Sequence, residues 1–331
     1  MNKKGDLMTK VMQIHQHGGP EVLSWDDVVV ADPGPGEALI RHTALGFNFV
    51  DTYHRSGQFG HKVTFPLVPG SQGVGVVEAV GDGVEGLKAG DKVTYANLLG
   101  AYAVTRIVPA DRMIVLPGDI ADELAAAAYL RTLTAHYLLK RLYPVQPGET
   151  ILVHACAGGA GQIICQWAKA LGAIVIGTVG TDAKAEIVKG LGCDHAIVYS
   201  RENFVDRVME ITGGKGVPVV YDSVGRDTFL GSLDCLAPMG MGINFGTASG
   251  QVEPFPLQRL HKKSLRVTRP TLATYIAARD DLEAASEEVF RVLRDGTVKV
   301  DIARRFDLKD AADAHRAIES RDTTGAMILV P

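Results

Sequence analysis

Apolar positions in the first third of the chain come in short runs, at residues 38–40, 74–80, 92–95 and 103–108, bounded by Gly, Pro and Asp. Such punctuated runs predict β-strands, and this stretch reads as β-rich with no long helix. The pattern changes over 121–143, ADELAAAAYLRTLTAHYLLKRLY, where Ala and Leu recur at helical spacing behind Asp122 and Glu123, acids suited to a helix start. From residue 150 strands and helices alternate. TILVH at 150–154, a Gly-rich turn, a helix over 162–171 and a strand over 173–178 make one βαβ unit. Further strands are predicted at 195–199, 217–221 and 241–245, separated by helices over 203–211 and 228–236. A parallel, doubly wound sheet follows. Beyond residue 269 one helix, 275–294, precedes a mixed tail whose last strand, 326–330, is expected to return to the first domain.

Composition changes this picture little. The 331 residues are 46% hydrophobic, enough for about two domains at roughly 100 to 200 residues each. Lys and Arg number 34 against 38 acids, a net charge of −4 that argues against a dedicated nucleic-acid binder. Four cysteines, Cys156, Cys165, Cys193 and Cys235, are scattered without a C-x-x-C pair, so neither a disulfide framework nor a zinc knuckle is suggested. His15 and His17 lack further ligands nearby and read as structural. No apolar run approaches the roughly 18 residues of a membrane span, and the basic start lacks the apolar stretch of a secretory signal. The expectation is a soluble, cytoplasmic protein.

The candidate chemistry lies in the turn after the strand at 150–154. His154-Ala-Cys-Ala-Gly-Gly-Ala-Gly161 contains Ala155-x-x-Gly158-x-x-Gly161 between a strand and a helix, a variant of the dinucleotide fingerprint. Gly158 lets the backbone approach a pyrophosphate, Gly161 permits close helix–strand packing, and the helix N-terminus supplies N–H groups and a positive dipole. The bland alternative is a plain tight turn. NAD-selective folds carry an acid at the tip of the second strand, but here the strand runs into Gly177-Thr178-Val179-Gly180-Thr181. Lys184 lies just beyond and Tyr199 closes the next strand, a cation and a hydroxyl suited to a 2′-phosphate, so NADPH is favoured over NADH. Lys184 reads equally as a solvated helix lysine, and Asp182 is a competing partner for it.

With these motifs in place, the chain resembles the zinc-independent quinone oxidoreductases, the ζ-crystallin-like branch of the medium-chain dehydrogenase/reductase superfamily. The resemblance covers nearly the whole chain: HGGPEVL (17–23), GFNFVDTYHRSG (46–57), the 155–161 loop, GTVGTDAK (177–184), YDSVG (221–225), FGTASG (245–250) and VTRP (267–270). It implies an α/β fold with a GroES-like β-rich catalytic domain, 1–125 and 269–331, interrupted by a Rossmann domain with a doubly wound parallel sheet, 126–268. It also implies a homodimer. Zinc-dependent relatives carry a Cys ligand where Asn48 stands, and Gly-His-Glu where this chain has Gly70-Ser71-Gln72, so no metal is expected. Phe59 and Gln72 depart from the usual Tyr and Glu of the family.

By the same resemblance Asn48, Asp51 and Tyr53 line the nicotinamide and substrate side, with Tyr53 a donor to a developing oxyanion. The alternatives are a turn role for Asn48, an i,i+4 pair of Asp51 with Arg55, and simple packing for Tyr53. Around the cofactor the resemblance places Tyr137, Gly158, Gly159, Ala160, Gly161, Gly180, Thr181, Lys184, Tyr199, Val224, Phe245, Ser249, Gly250 and Arg321, with Thr134 a candidate for the carboxamide. Tyr137 also reads as an ordinary helix position, and Arg321 beside Asp322 as a surface ion pair. The function implied is NADPH-dependent hydride transfer to a quinone, a small-molecule substrate, without metal. One rival is reduction of an activated C=C in an enone or enoyl thioester, since fold does not fix chemistry. Another is an NADPH-regulated RNA-binding or structural protein, supported by the basic stretch RLHKKSLRVTR at 259–269.

Overall fold

The computed structural model describes residues 7–58, 63–320 and 324–331, and divides the chain into two units, Met1–Leu130 with Val300–Pro331, and Arg131–Lys299. The first unit opens with an antiparallel ribbon of β1 (Leu7–Ile14) and β2 (Leu23–Val30), which the short apolar runs do not indicate. It continues through β3 (Glu37–Phe47), the short helix α1 (Phe49–Ser56), β4 (Gln72–Val80), β5 (Lys92–Ala96), β6 (Thr105–Pro109) and β7 (Ile114–Val115). Along β3 the side chains of Ala38, Ile40, Leu45 and Phe47 are sealed from solvent and form one core with Val77, Tyr95, Tyr102 and Met113.

Helix α2 (Asp122–His136) is apolar almost all round, with Ala125 to Ala128 buried, and runs directly into a π-helical turn at Tyr137–Leu142. That turn is wider than the α-helical periodicity of the sequence suggests, and such bulges are frequent at functional positions.

The second unit alternates β8 (Thr150–Val153), α3 (Gly159–Ala170), β9 (Ile174–Val179), α4 (Asp182–Gly190), β10 (His195–Val198), α5 (Phe204–Ile211), β11 (Val217–Asp222), α6 (Phe229–Asp234), β12 (Leu236–Asn244), α7 (Gln258–His261) and β13 (Arg266–Thr268). All six strands are parallel, in the order β10-β9-β8-β11-β12-β13. The order reverses beside β8, the switch point where open α/β sheets bind ligands at the carboxyl ends of their strands.

Residues 269–299, assigned from the sequence to the first domain, belong to this second unit. They form α8 (Leu272–Tyr275) and α9 (Arg279–Arg294). Side-chain pairing decides the matter: Tyr275 stacks on Tyr137 at 4.6 Å, Arg141 pairs with Asp281 at 2.9 Å, and Gln166 exchanges hydrogen bonds with the backbone of Lys299. None of these partners is adjacent in sequence, so the boundary is a property of packing.

The tail supplies β14 (Ile302–Asp307), α10 (Ala311–Glu319) and β15 (Ala326–Val330), and β15 pairs antiparallel with β3. The strands of the first unit lie in the order β14-β15-β3-β4-β5-β7, with β6 on β3. No helix among the described residues is long and apolar enough to cross a membrane.

Candidate functional site

The loop after β8 turns sharply at Ala155, whose φ of 50° lies in the left-handed region, and Gly158 N–H closes the turn on Ala155 O at 2.8 Å. A Cβ on Gly161 would lie 2.3 Å from Ala155 O and 2.8 Å from Cys156 Cα. Only glycine fits there, and the closeness seats the first turn of α3 against the end of β8. That leaves the N–H groups of Gly159, Ala160 and Gly161 at the start of a twelve-residue helix. Their direction and the helix dipole favour an anion at this point.

Arg131 reinforces the reading. Its side chain is 8% exposed, and its Nε lies 3.0 Å from where a Cβ of Gly159 would stand. A guanidinium beside the positive end of a helix adds to the field there that favours an anion. Arg131 belongs to no motif in the sequence, and only folding brings it to the loop. Thr134 follows one turn later on the same helix. Tyr137 is buried against Tyr275, and burial and that neighbour push its phenol pKa up, so it remains protonated.

At the tip of β9 a Cβ on Gly180 would come within 2.9 Å of Tyr199 Oη, and Tyr199 itself is 53% exposed. Thr181 caps α4 by accepting the Lys184 N–H at 3.2 Å. Asp182, a competing partner for Lys184 on sequence grounds, forms an ion pair with Arg201 at 2.8 Å. Arg201 is a second cation near this tip that no motif marks. Thr181, Lys184 and Tyr199 therefore share one edge with the Gly-rich loop, as neighbours at the carboxyl ends of β8, β9 and β10.

The ends of β11 and β12 complete that edge. Asp222 accepts the N–H groups of Val224 and Gly225 at 2.8 and 2.9 Å through Oδ1, and the hydroxyls of Thr228 and Ser232 at 2.7 and 2.9 Å through Oδ2. Ser249 ties the next loop down, donating from Oγ to Val224 O at 2.9 Å and accepting Asp227 N–H at 3.0 Å. Phe245 N–H reaches Asp222 O at 2.9 Å, and Gly250, at φ 117°, closes on Thr247 O. Val224, Phe245, Ser249 and Gly250 are thus gathered into two interlocked loops. Arg321 and Phe59 lie outside the described residues.

The catalytic candidates sit on α1 in the first unit. Asn48 caps the helix, and Asp51 reaches back to its N–H at 2.9 Å. Asp51 is fully buried and also accepts Ser71 Oγ at 2.5 Å and Tyr102 Oη at 3.3 Å. A one-way relay stands behind it: Arg55 Nη1 donates to His315 Nδ1 at 3.0 Å, and His315 Nε2 to Tyr102 Oη at 3.2 Å. Burial and the Arg55 charge push the His315 pKa down to about 3, so the ring is neutral and this tautomer is consistent. Arg55 also pairs with Glu319. Asp51 is therefore linked to Arg55 through two intervening rings, and its carboxylate serves the shape of α1. Tyr53, 7% exposed, packs edge-on to Phe49.

Asn48 Nδ2 donates to Gln72 Oε1 at 3.1 Å, and Gln72 Nε2 to Ala125 O at 2.9 Å. The positions that match zinc ligands in relatives thus hold two amides and a hydroxyl already bonded to one another or to Asp51. That donor set does not fit Zn²⁺, which takes thiolate, imidazole and carboxylate. The cysteines behave differently. Cys156, Cys165 and Cys193, which no motif links in the sequence, converge inside the second unit.

Two family descriptions match the sequence: Alcohol dehydrogenase GroES-like domain over residues 34–118, and Zinc-binding dehydrogenase over residues 159–291. Quinone oxidoreductase 1 of Escherichia coli strain K12 is 47% identical over 328 residues, 98% of this chain and 100% of that one. A 2-haloacrylate reductase from a Burkholderia species is 43% identical over 332 residues, 98% of this chain and 99% of that one. Among solved structures, E. coli quinone oxidoreductase complexed with NADPH superposes with a TM-score of 0.95 at 47% identity, covering 97% of this chain and 100% of the other.

Proposed function

Since the chain belongs to the quinone oxidoreductases of the medium-chain dehydrogenase/reductase superfamily, we propose that it is an NADPH-dependent quinone reductase that works without a metal. The observation that carries this reading is the full-length likeness to a quinone oxidoreductase in complex with NADPH, at 47% identity. Bound NADPH would supply the hydride, as cofactors carry the hard chemistry while the protein orients and polarises. The loop at Gly158, Gly159, Ala160 and Gly161, with Arg131, would hold the pyrophosphate. Gly180, Thr181, Lys184 and Tyr199 would take the adenosine ribose and its 2′-phosphate, since β9 itself ends without an acid and the following Asp182 is paired with Arg201. Thr134, Tyr137, Val224, Phe245, Ser249, Gly250 and Arg321 would flank the rest of the dinucleotide.

On the substrate side, Asn48 and Tyr53 would face the acceptor, with Asp51 as a positioning residue that fixes α1 beneath them. Without zinc ligands at these positions, carbonyl polarisation falls to hydrogen-bond donors, which suits an acceptor as electrophilic as a quinone. The proposal extends to a cytoplasmic homodimer, which light scattering and fractionation would check.

The test is loss of reduced-nicotinamide absorbance with NADPH and with NADH against quinones, enones and simple aldehydes, with and without a chelator. Quinone turnover that prefers NADPH and ignores the chelator is the expected outcome; turnover abolished by the chelator would overturn the metal-free reading. A second reading, reduction of an activated C=C, is favoured by the likeness to a 2-haloacrylate reductase, and enone-only turnover would establish it. RNA binding loses support from the structure of its basic stretch: Arg259 pairs with Asp234, Lys263 donates to Asp234 O and Leu236 O, and Arg266 to Met239 O. These cations are engaged within the fold.

A further inference from the structure

Three of the four cysteines converge in the second unit. The sulfurs of Cys156, Cys165 and Cys193 all lie within 4.8 Å of one another, and the three residues are 0%, 0% and 5% exposed. They come from different places: Cys156 from the Gly-rich loop, Cys165 from α3, and Cys193 from the turn between α4 and β10. Gly177 on β9 clears the space, because a Cβ there would press to 2.8 Å on the sulfurs of both Cys156 and Cys193. The surrounding polar groups are weak hydrogen-bond acceptors for thiols, Leu191 O at 3.9 Å from Cys165 and Val175 O and His195 O at 3.6 and 3.4 Å from Cys193.

We propose that Cys156, Cys165 and Cys193 form a binding site for one soft, thiophilic monovalent cation of the Cu(I) class. With metal–sulfur bonds of about 2.3 Å, three ligands in a trigonal plane stand about 4 Å apart, within the spacing seen here. Ligand number selects the ion. Structural zinc takes four ligands in a tetrahedron. Among the described residues the cluster offers three sulfurs, and the nearest acid in sequence, Asp194, is held by Lys169 and by the Val175 N–H. Soft thiolates favour Cu(I), which is satisfied by two or three of them. Binding is an exchange without electron transfer: the cation forms three bonds to sulfur and the thiol protons leave to solvent.

The site also bears on the cofactor, an extension that rests on reading the 155–161 loop as the pyrophosphate cradle. Cys156 lies within that loop, and its N–H anchors it to Thr178 O at 3.0 Å. Drawing the Cys156 sulfur into a metal bond shifts the turn at Ala155, so the metal and NADPH are expected to weaken each other by the same factor.

The experiment loads the full-length protein anaerobically with Cu(I) in competition with a chromophoric Cu(I) chelator. Expected are one equivalent per chain, a sulfur-to-copper charge-transfer band, and a sulfur-only first shell by X-ray absorption of the wild-type protein, which needs no variant. Cys165→Ser and Cys193→Ser are each expected to weaken binding by more than the roughly 10- to 100-fold that loss of an outer-sphere contact costs, while Cys235→Ser leaves it unchanged. Circular dichroism of each metal-free variant checks that it folds. No copper taken from the chelator, nitrogen or oxygen in the first shell, or loss only in Cys235→Ser would overturn the site. NADPH affinity is then read by fluorescence in metal-free and loaded protein, with a weakening of about fivefold or more expected on loading. Unchanged affinity would overturn the coupling, whereas a metal-free protein that fails to bind NADPH would overturn the cofactor reading and leave the metal site standing.

Discussion

Lys184 is the residue to which the proposed preference for NADPH is assigned most directly. Its backbone is fixed by Thr181, and Asp182 beside it is paired with Arg201, so the local field at the tip of β9 is not dominated by an uncompensated acid. Lys184→Ala is expected to weaken NADPH binding by about 1.5 to 3 kcal/mol, the value of a charge-assisted contact, and to leave NADH binding nearly unchanged. Titration calorimetry with both cofactors measures this, and equal losses would remove Lys184 from the 2′-phosphate site. Its neighbours differ in how far the sequence announces them. The glycines are legible because a close approach leaves no chemical alternative, as the 2.3 Å space at Gly161 demonstrates. Arg131 and Arg201 are not, because a charged residue in a helix or loop looks the same whether it faces water or a ligand.

At the scale of elements, α1, which carries the proposed catalytic residues, is held in shape by a buried hydrogen-bond network. Asp51 joins the helix N-terminus, Ser71 before β4 and Tyr102, all in the interior of the first unit. Removing the carboxylate leaves buried neutral donors, the Asn48 N–H and the Ser71 and Tyr102 hydroxyls, without their acceptor, at a cost of about 1 to 3 kcal/mol for each that stays unsatisfied. Asp51→Ala is therefore expected to lower the unfolding free energy by at least one such increment in urea titration, with activity lost in proportion to folded protein. Full stability with lost turnover would instead return Asp51 to the reacting groups. Apolar spacing and terminal charge predict α2 and α9, but not the π-helical turn at Tyr137–Leu142. Periodicity carries no signal for one extra residue in a turn. The ribbon of β1 and β2 escapes for a related reason: most of the residues of β2 are only half buried, and its polar positions mask the alternation.

For the molecule as a whole, buried histidines contribute to the loss of stability in acid. His42 and His315 both have pKa values pushed down from 6.5 to about 3, chiefly by burial, aided by Arg106 and Arg55 respectively. Between pH 6.5 and 3 the unfolded chain binds protons that the folded chain refuses. Stability is fully present above pH 6.5 and falls with pH through this window, by about 1.4 kcal/mol per pH unit for each histidine. The denaturation midpoint is expected to drop from pH 7 to pH 5, and His315→Gln to reduce that slope. A midpoint independent of pH would show that neither ring stays neutral in the fold.

Consecutive residues were enough to establish the α/β class, the strand–turn–helix that carries the Gly-rich loop, the absence of zinc-type ligands at the matching positions, and the family. These are local matters of spacing, residue type and steric need. Packing in three dimensions was required to place residues 269–299 with the parallel sheet, to bring Arg131 to the start of α3, and to gather three scattered cysteines around Gly177. Each of these joins positions far apart in the chain, and which distant side chains meet is fixed by how helices and strands pack, a choice that no single segment encodes.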